Sequence, residues 1–162
     1  MMQYDVKASH FNVSGNAVTS TCRLKGVLST AGATAGYVNL WDSTAAPLTG
    51  TYARANTTVT VSVTAHGLTN GQAFGFVATS NNATDGNYVV TSLANANAFT
   101  FTDINTGTAA GNCSINTRWL MSWDTANIQA ETYMLLPGEG IKANNGIYAE
   151  LSNVTGAIVF YG

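Results

Sequence analysis

The chain has 162 residues, of which 46% are hydrophobic and only 9% charged, with a formal net charge of -2. That length allows one domain or two small ones, and an ordinary soluble domain carries about 25% charged residues. The six basic residues are scattered and form no phosphate-binding stripe, which argues against a nucleic-acid binder, and no run reaches the roughly 18 apolar residues of a membrane helix.

The polar mass is Thr, Asn, Ser and Gly, residues suited to strands and tight turns, and helix signals are nearly absent. Residues 5–11 predict a first strand and 13–17 a turn. Residues 18–27 predict a second strand with Val18, Cys22 and Leu24 on one face, and 28–36 a small-residue loop. In residues 37–42 the alternation puts Tyr37, Asn39 and Trp41 on one face and Val38, Leu40 and Asp42 on the other. Bulk on both faces suits a strand between a core and a partner surface.

A second pattern begins near Tyr52. Val59, Val61 and Val63 alternate with Thr58, Thr60 and Ser62, predicting one half-buried strand over 53–63. Residues 66–71 read as a turn, 72–79 as a strand with Phe74 and Phe76 on one face, and 81–86 as a turn ending in Asp85-Gly86. Strands over 88–93 and 98–102 follow. Residues 105–112 read as a linker or long turn.

One strand is expected over 114–124, carrying Trp119, Met121 and Trp123 in step. Residues 133–136 predict a compact strand stopped by Pro137-Gly138-Glu139-Gly140. A turn at 144–146, a strand over 147–151 and a last strand over 157–161 complete the chain. The expectation is an all-β fold, an antiparallel β-sandwich of jelly-roll type formed by residues 1–50 and 115–162, with a small β module inserted over 51–114. The same strands also fit one continuous sandwich.

Few residues suggest chemistry. His66 and His10 are the only histidines, and no Gly-x-Ser-x-Gly elbow accompanies them. His66-Gly67 reads as a structural turn with Gly67 at positive φ, and His10 as a strand residue. Asp124 and Glu131 would be the nearest approach to a glycosidase pair, but Asp42, Asp85, Asp103 and Asp124 read as turn-capping side chains. Cys22 and Cys113, far apart in the chain and outside any Cys-x-x-Cys motif, read as reduced and buried. The opening MMQYDVK has no apolar stretch of the signal-peptide kind. Catalytic residues, cofactor and metal are all expected to be absent. The candidate sites are instead interface aromatics, Trp41, Trp119, Trp123, Tyr133, Tyr148 and Tyr161, whose rings bury area while their polar tips reach a rim; for the three tryptophans a place in the core is the first reading, with an interface or a carbohydrate-stacking platform as the alternatives.

Several segments carry a family resemblance. In the first and last parts these are Val6-Lys7-Ala8-Ser9, Arg23-Leu24-Lys25-Gly26-Val27, Ala33 to Val38 and Trp41-Asp42. Met134-Leu135-Leu136-Pro137-Gly138-Glu139-Gly140-Ile141, Gly146-Ile147-Tyr148-Ala149, Leu151 to Thr155 and Ile158 to Tyr161 complete the set. Together they resemble short structural proteins of tailed-bacteriophage virions, which implies a compact antiparallel β-sandwich in the particle. The middle part has Val59-Thr60-Val61, His66-Gly67-Leu68, Asn70-Gly71-Gln72, Gly86 to Val90 and Ala98 to Thr102. It resembles a small β module inserted in phage fibre, tail and decoration proteins, with Gly71-Gln72 where that module commonly has Gly-Asp.

The resemblance implies a non-enzymatic capsid decoration or cement protein at the virion surface. Its partners would be the major capsid protein and copies of itself in a homotrimer, without nucleic acid or membrane. The alternative is a tail or fibre component that meets host glycans. A surface of short neutral side chains fits the first role, because ordering it costs little rotamer entropy and desolvates few charges. An exposed aromatic row on the middle module would favour receptor binding, and an apolar surface on the flanking part would favour assembly.

Overall fold

Sixteen β-strands account for the regular structure of the residues described by the computed structural model, 6–81, 83–125 and 129–162. In chain order they are β1 (Lys7–Phe11), β2 (Gly15–Val18), β3 (Cys22–Ala31), β4 (Gly36–Trp41), β5 (Leu48–Ala55), β6 (Thr58–Ser62), β7 (Ala73–Ala78) and β8 (Gly86–Val89). Then follow β9 (Ser92–Asn95), β10 (Ala98–Thr102), β11 (Thr108–Asn116), β12 (Trp119–Thr125), β13 (Glu131–Leu135), β14 (Ile141–Ala143), β15 (Ile147–Ser152) and β16 (Val154–Tyr161). Asp5, the expected start of the first strand, and Asn82, in an expected turn, lie outside the described residues.

The chain divides into two compact units. A central unit spans Pro47–Trp119, and a flanking unit takes the residues up to Ala46 together with Leu120–Gly162. These boundaries lie outside the 51–114 span read from the sequence, because β5 begins at Leu48 and Trp119 is anchored to the central unit through Asn87.

The flanking unit has two open antiparallel sheets. One orders its strands β1-β16-β3-β13, with β14 also on β3; the other orders them β12-β4-β15-β2. Leu24, Val27 and Val159 from the first sheet and Val38, Leu40, Ile147 and Ala149 from the second share one buried cluster. β3 reaches that core out of simple alternation. A register shift opposite Phe160/Tyr161 leaves Lys25 as an extra residue, so Leu24 and Val27 both turn inward.

The central unit is one seven-stranded antiparallel sheet, β8-β7-β11-β5-β6-β10-β9, curled into a half-barrel. Its edge strands are consecutive in the chain. Between them, the Val90 N–H donates to Gln72 beside β7 and the Thr91 N–H donates to Thr100 on β10. The curl encloses Phe74, Phe76, Phe99 and Phe101. Their rings meet edge-on or tilted, as Phe74 does with Phe99 at 5.1 Å, the geometry aromatic quadrupoles favour.

Several expectations change. Residues 28–31, expected in a loop, continue β3, a strand paired on both sides by β13 and β16. Gly15 to Ala17, expected in a turn, lie in β2. Residues 108–112, expected in a linker, belong to β11 and pair with Thr51–Ala55 of β5. Small residues sit there because neighbouring backbone is close; a Cβ on Gly111 would run into the Ser80 carbonyl. The single strand expected over 53–63 is a hairpin, β5–β6, turning at Asn56 with φ 55°. The expected strand over 114–124 breaks between Asn116 and Trp119, where β11 ends and β12 begins, and Trp119, Met121 and Trp123 stay in step within β12.

Candidate functional site

The outward face of the first flanking sheet is built by alternation. In β13 the side chains of Thr132 and Met134 lie in the register rows of the inward-facing Ser29 and Val27. Glu131, Tyr133 and Leu135 therefore point the other way. They share rows with Thr30, Leu28 and Gly26 of β3, and those rows continue to Gly156, Ile158 and Phe160 of β16. The result is an apolar, solvent-facing patch of Leu28, Tyr133, Leu135, Ile158 and Phe160. Tyr133 is 59% and Leu135 66% exposed, and the other three are half-buried. The Tyr133 and Phe160 rings lie edge-on at 6.2 Å.

The six aromatics singled out from sequence have different fates. Trp41 has no accessible surface, so it offers nothing to a partner; its indole N–H donates to Glu150 Oε2 at 3.0 Å. The same oxygen accepts from Asn39 Nδ2 at 3.0 Å, and the Tyr37 hydroxyl also bonds Glu150. Burial, with the Glu150 charge adding, pushes that phenol upward. Trp123 is half-buried against the flanking core, with its indole N–H 3.3 Å from Ser29 Oγ. Trp119 is half-buried, its backbone exchanges two bonds with the Asn87 side chain, and its buried indole nitrogen has no partner among the described residues. Tyr148 pairs across from Trp41, and Tyr161 packs against the flanking core. Tyr133 is the most exposed of the six. Leu28, Leu135, Ile158 and Phe160 were missed as its companions; period-two spacing in 131–135 and 156–160 carries the signal.

The polar candidates are structural. His66 is buried at a turn; its Nδ1 accepts from the Leu68 N–H at 3.0 Å and its Nε2 donates to the Asn95 carbonyl at 3.2 Å. That pattern sets Nδ1 as the acceptor and Nε2 as the donor of the ring. The ring stands 4.9 Å from Phe99, and Gly67 has φ 66°. Asp42 does more than cap its own turn: it accepts from the Asn144 and Asn145 N–H groups at 3.0 and 2.7 Å. Asp85 accepts from the Ala78 N–H. His10 is exposed on β1, and Asp124 and Glu131 are exposed.

Cys22 and Cys113 are free and buried, each in the core of a different unit. Burial pushes the Cys113 thiol up to about 12, and the Cys22 thiol is raised by burial and by Asp42. Thiols held neutral in this way are poor nucleophiles. Among the described residues, no three His, Cys, Asp or Glu side chains are grouped to hold a metal ion.

No family model matches the chain, and neither a curated protein nor a solved structure matches it.

Proposed function

We propose that the protein is a non-enzymatic structural component of a tailed-phage virion, a capsid decoration or cement protein. In this reading the flanking unit is a jelly-roll-like β-sandwich, closed by its two open sheets over their shared core. It binds the major capsid protein and further copies of the chain, grouped as a homotrimer, and the central unit is carried as an insert.

The observation that carries the reading is where the exposed aromatic surface lies. In the central unit Tyr52, Phe74, Phe76, Phe99 and Phe101 are buried and Tyr88 and Trp119 are half-buried, so among the described residues no exposed aromatic row is offered to a glycan. Among the described residues the exposed aromatic is Tyr133, on the apolar sheet face of the flanking unit. The ionic surface is sparse as well. Asp42, Arg54, Asp103 and Glu150 are buried, which leaves Lys7, Asp124, Glu131, Glu139 and Lys142 as the fully exposed charged residues among those described. Such a surface joins a lattice with few charges to desolvate, and many weak contacts then add to firm attachment.

The test is the solution mass by light scattering, with intact particles imaged in parallel. A trimer present at many equivalent shell sites supports the reading. A monomer found only at the tail vertex overturns it.

A further inference from the structure

We propose that two copies of this chain pair edge to edge through β13, antiparallel about a twofold axis at Tyr133, joining their flanking sheets into one continuous sheet. The proposal needs only two copies of the chain and holds apart from any location in a particle.

The argument starts from backbone phase. The Ala130 carbonyl accepts from the Ala31 N–H, and the Leu136 N–H donates to the Lys25 carbonyl. Even-numbered residues of this segment therefore face β3, and alternation turns the N–H and C=O groups of Glu131, Tyr133 and Leu135 to the other side. Among the described residues no strand pairs with that side. The next residue in the outward phase, Pro137, has no N–H, so the usable edge ends at Leu135.

That edge also lacks the usual protection. β13 carries no Lys, no Pro and no register shift, whereas β1 at the opposite edge carries Lys7 and His10. Its side chains on the outward face are the most exposed part of the apolar patch.

The occupant follows from self-complementarity. With the axis at Tyr133, Glu131 faces Leu135 of the second copy, Tyr133 faces Tyr133, and Leu135 faces Glu131. All three pairs are in the phase that exchanges N–H···O=C bonds in both directions. The single charge of the strand meets an aliphatic side chain, and the aromatic pair sits at the centre, where cross-strand rings add stability. A two-residue displacement removes one of those pairs from the strands. The displacement that sets Glu131 against Glu131 keeps a single pair and opposes like charges. The contact is isologous and closes at two copies, and the Leu28 rows of both copies then flank the paired tyrosines.

Sedimentation of the purified full chain over a concentration series, with Tyr133→Lys alongside, tests this. The wild type should associate in twos with rising concentration, as a dimer of the chain or, where the homotrimer proposed above forms, as a pair of trimers. Opposed lysines at the axis should weaken that association by about tenfold or more, with the circular dichroism spectrum unchanged. A cysteine pair provides the readout that survives a folding failure of that variant. Cα atoms of a hydrogen-bonded pair lie about 5.5 Å apart, within disulfide range, so Tyr133→Cys should cross-link under mild oxidation. Thr132→Cys, which faces Met134 of the second copy, should not, and the buried Cys22 and Cys113 do not compete. A wild type that stays monomeric, or stops at a trimer, overturns the proposal and leaves the edge to a strand from a different protein. A dimer that survives Tyr133→Lys, or equal cross-linking at 132 and 133, also overturns it.

Discussion

Arg54 Nη1 lies 2.8 Å from Asp103 Oδ2, and both side chains are buried in the central unit. The pair ties β5 to the residue that follows β10. Asp103 also accepts from the Asn105 and Thr84 N–H groups at 3.1 and 3.3 Å. A buried ion pair is weak evidence of net stabilisation, but removing one partner strands a charge. Arg54→Met should cost about 3–5 kcal/mol, and the double variant Arg54→Met/Asp103→Asn should cost less than the single one. Urea unfolding of the set measures the coupling.

The same aspartate sets an acid limit. Burial disfavours its charged form, yet the bonds from Arg54, Asn105 and Thr84 outweigh that and hold the carboxyl below its usual range. The unfolded chain, in which Asp titrates near 3.9, then takes up this proton more readily than the folded one. The contribution is complete above about pH 5 and is lost as pH falls through the lowered folded value. Thermal melting between pH 7 and acid should show a steeper decline in the wild type than in Asp103→Asn; parallel curves would contradict this.

At the alkaline end the sign reverses. Burial pushes Cys113 to about 12, and burial with Asp103 and Asp85 pushes the Tyr88 hydroxyl to about 12. Unfolded, these groups titrate near about 8.5 and 10, so the unfolded chain loses its protons first. Their contribution is complete below about pH 8.5 and is lost as pH rises toward the folded values. Cys113→Ala should flatten the decline between about pH 8.5 and 10, where the unfolded thiol ionises first. A thiol reagent should leave both cysteines untouched in the native protein and label both after unfolding.

In the flanking unit, Glu150 holds Trp41 and Asn39 through one carboxylate oxygen. Glu150→Ala leaves both buried donors without that acceptor and should cost about 2–5 kcal/mol. Glu150→Gln keeps one oxygen and can turn its amide toward the Tyr37 hydroxyl, so it should cost clearly less. Equal urea midpoints for the two variants would refute the account.

The joint between β13 and β14 gives a paired backbone test. Gly138 and Gly140 have φ 63° and 71°, but a Cβ at 138 meets open space, whereas one at 140 would run into the Leu24 carbonyl oxygen. Gly138→Ala should cost about 1–2 kcal/mol from the left-handed backbone alone, and Gly140→Ala more. The ordering of their melting temperatures checks this.

Sequence reasoning reached the strand content, the alternation of Val59, Val61 and Val63, the faces of 37–42 and the turn role of His66. Each of these rests on local periodicity or local turn chemistry. It missed β3 beyond Val27 and the first half of β11. Small residues look like loops in isolation, yet here they are the residues that let neighbouring strands approach, Ser29 beneath the Trp123 indole and Gly111 beside Ser80. It left the three tryptophans between core and interface, because a tryptophan's burial depends on what is folded over it.

By itself, then, the sequence determined a β-rich chain with sparse charge, since alternation and composition act residue by residue. Only the tertiary structure decided that Trp41 is interior and Tyr133 exposed, that Arg54 meets Asp103 across 49 positions, and that among the described residues no strand pairs with the outer side of β13. Those outcomes depend on strand order and register, which arise from long-range pairing that no local window of sequence contains.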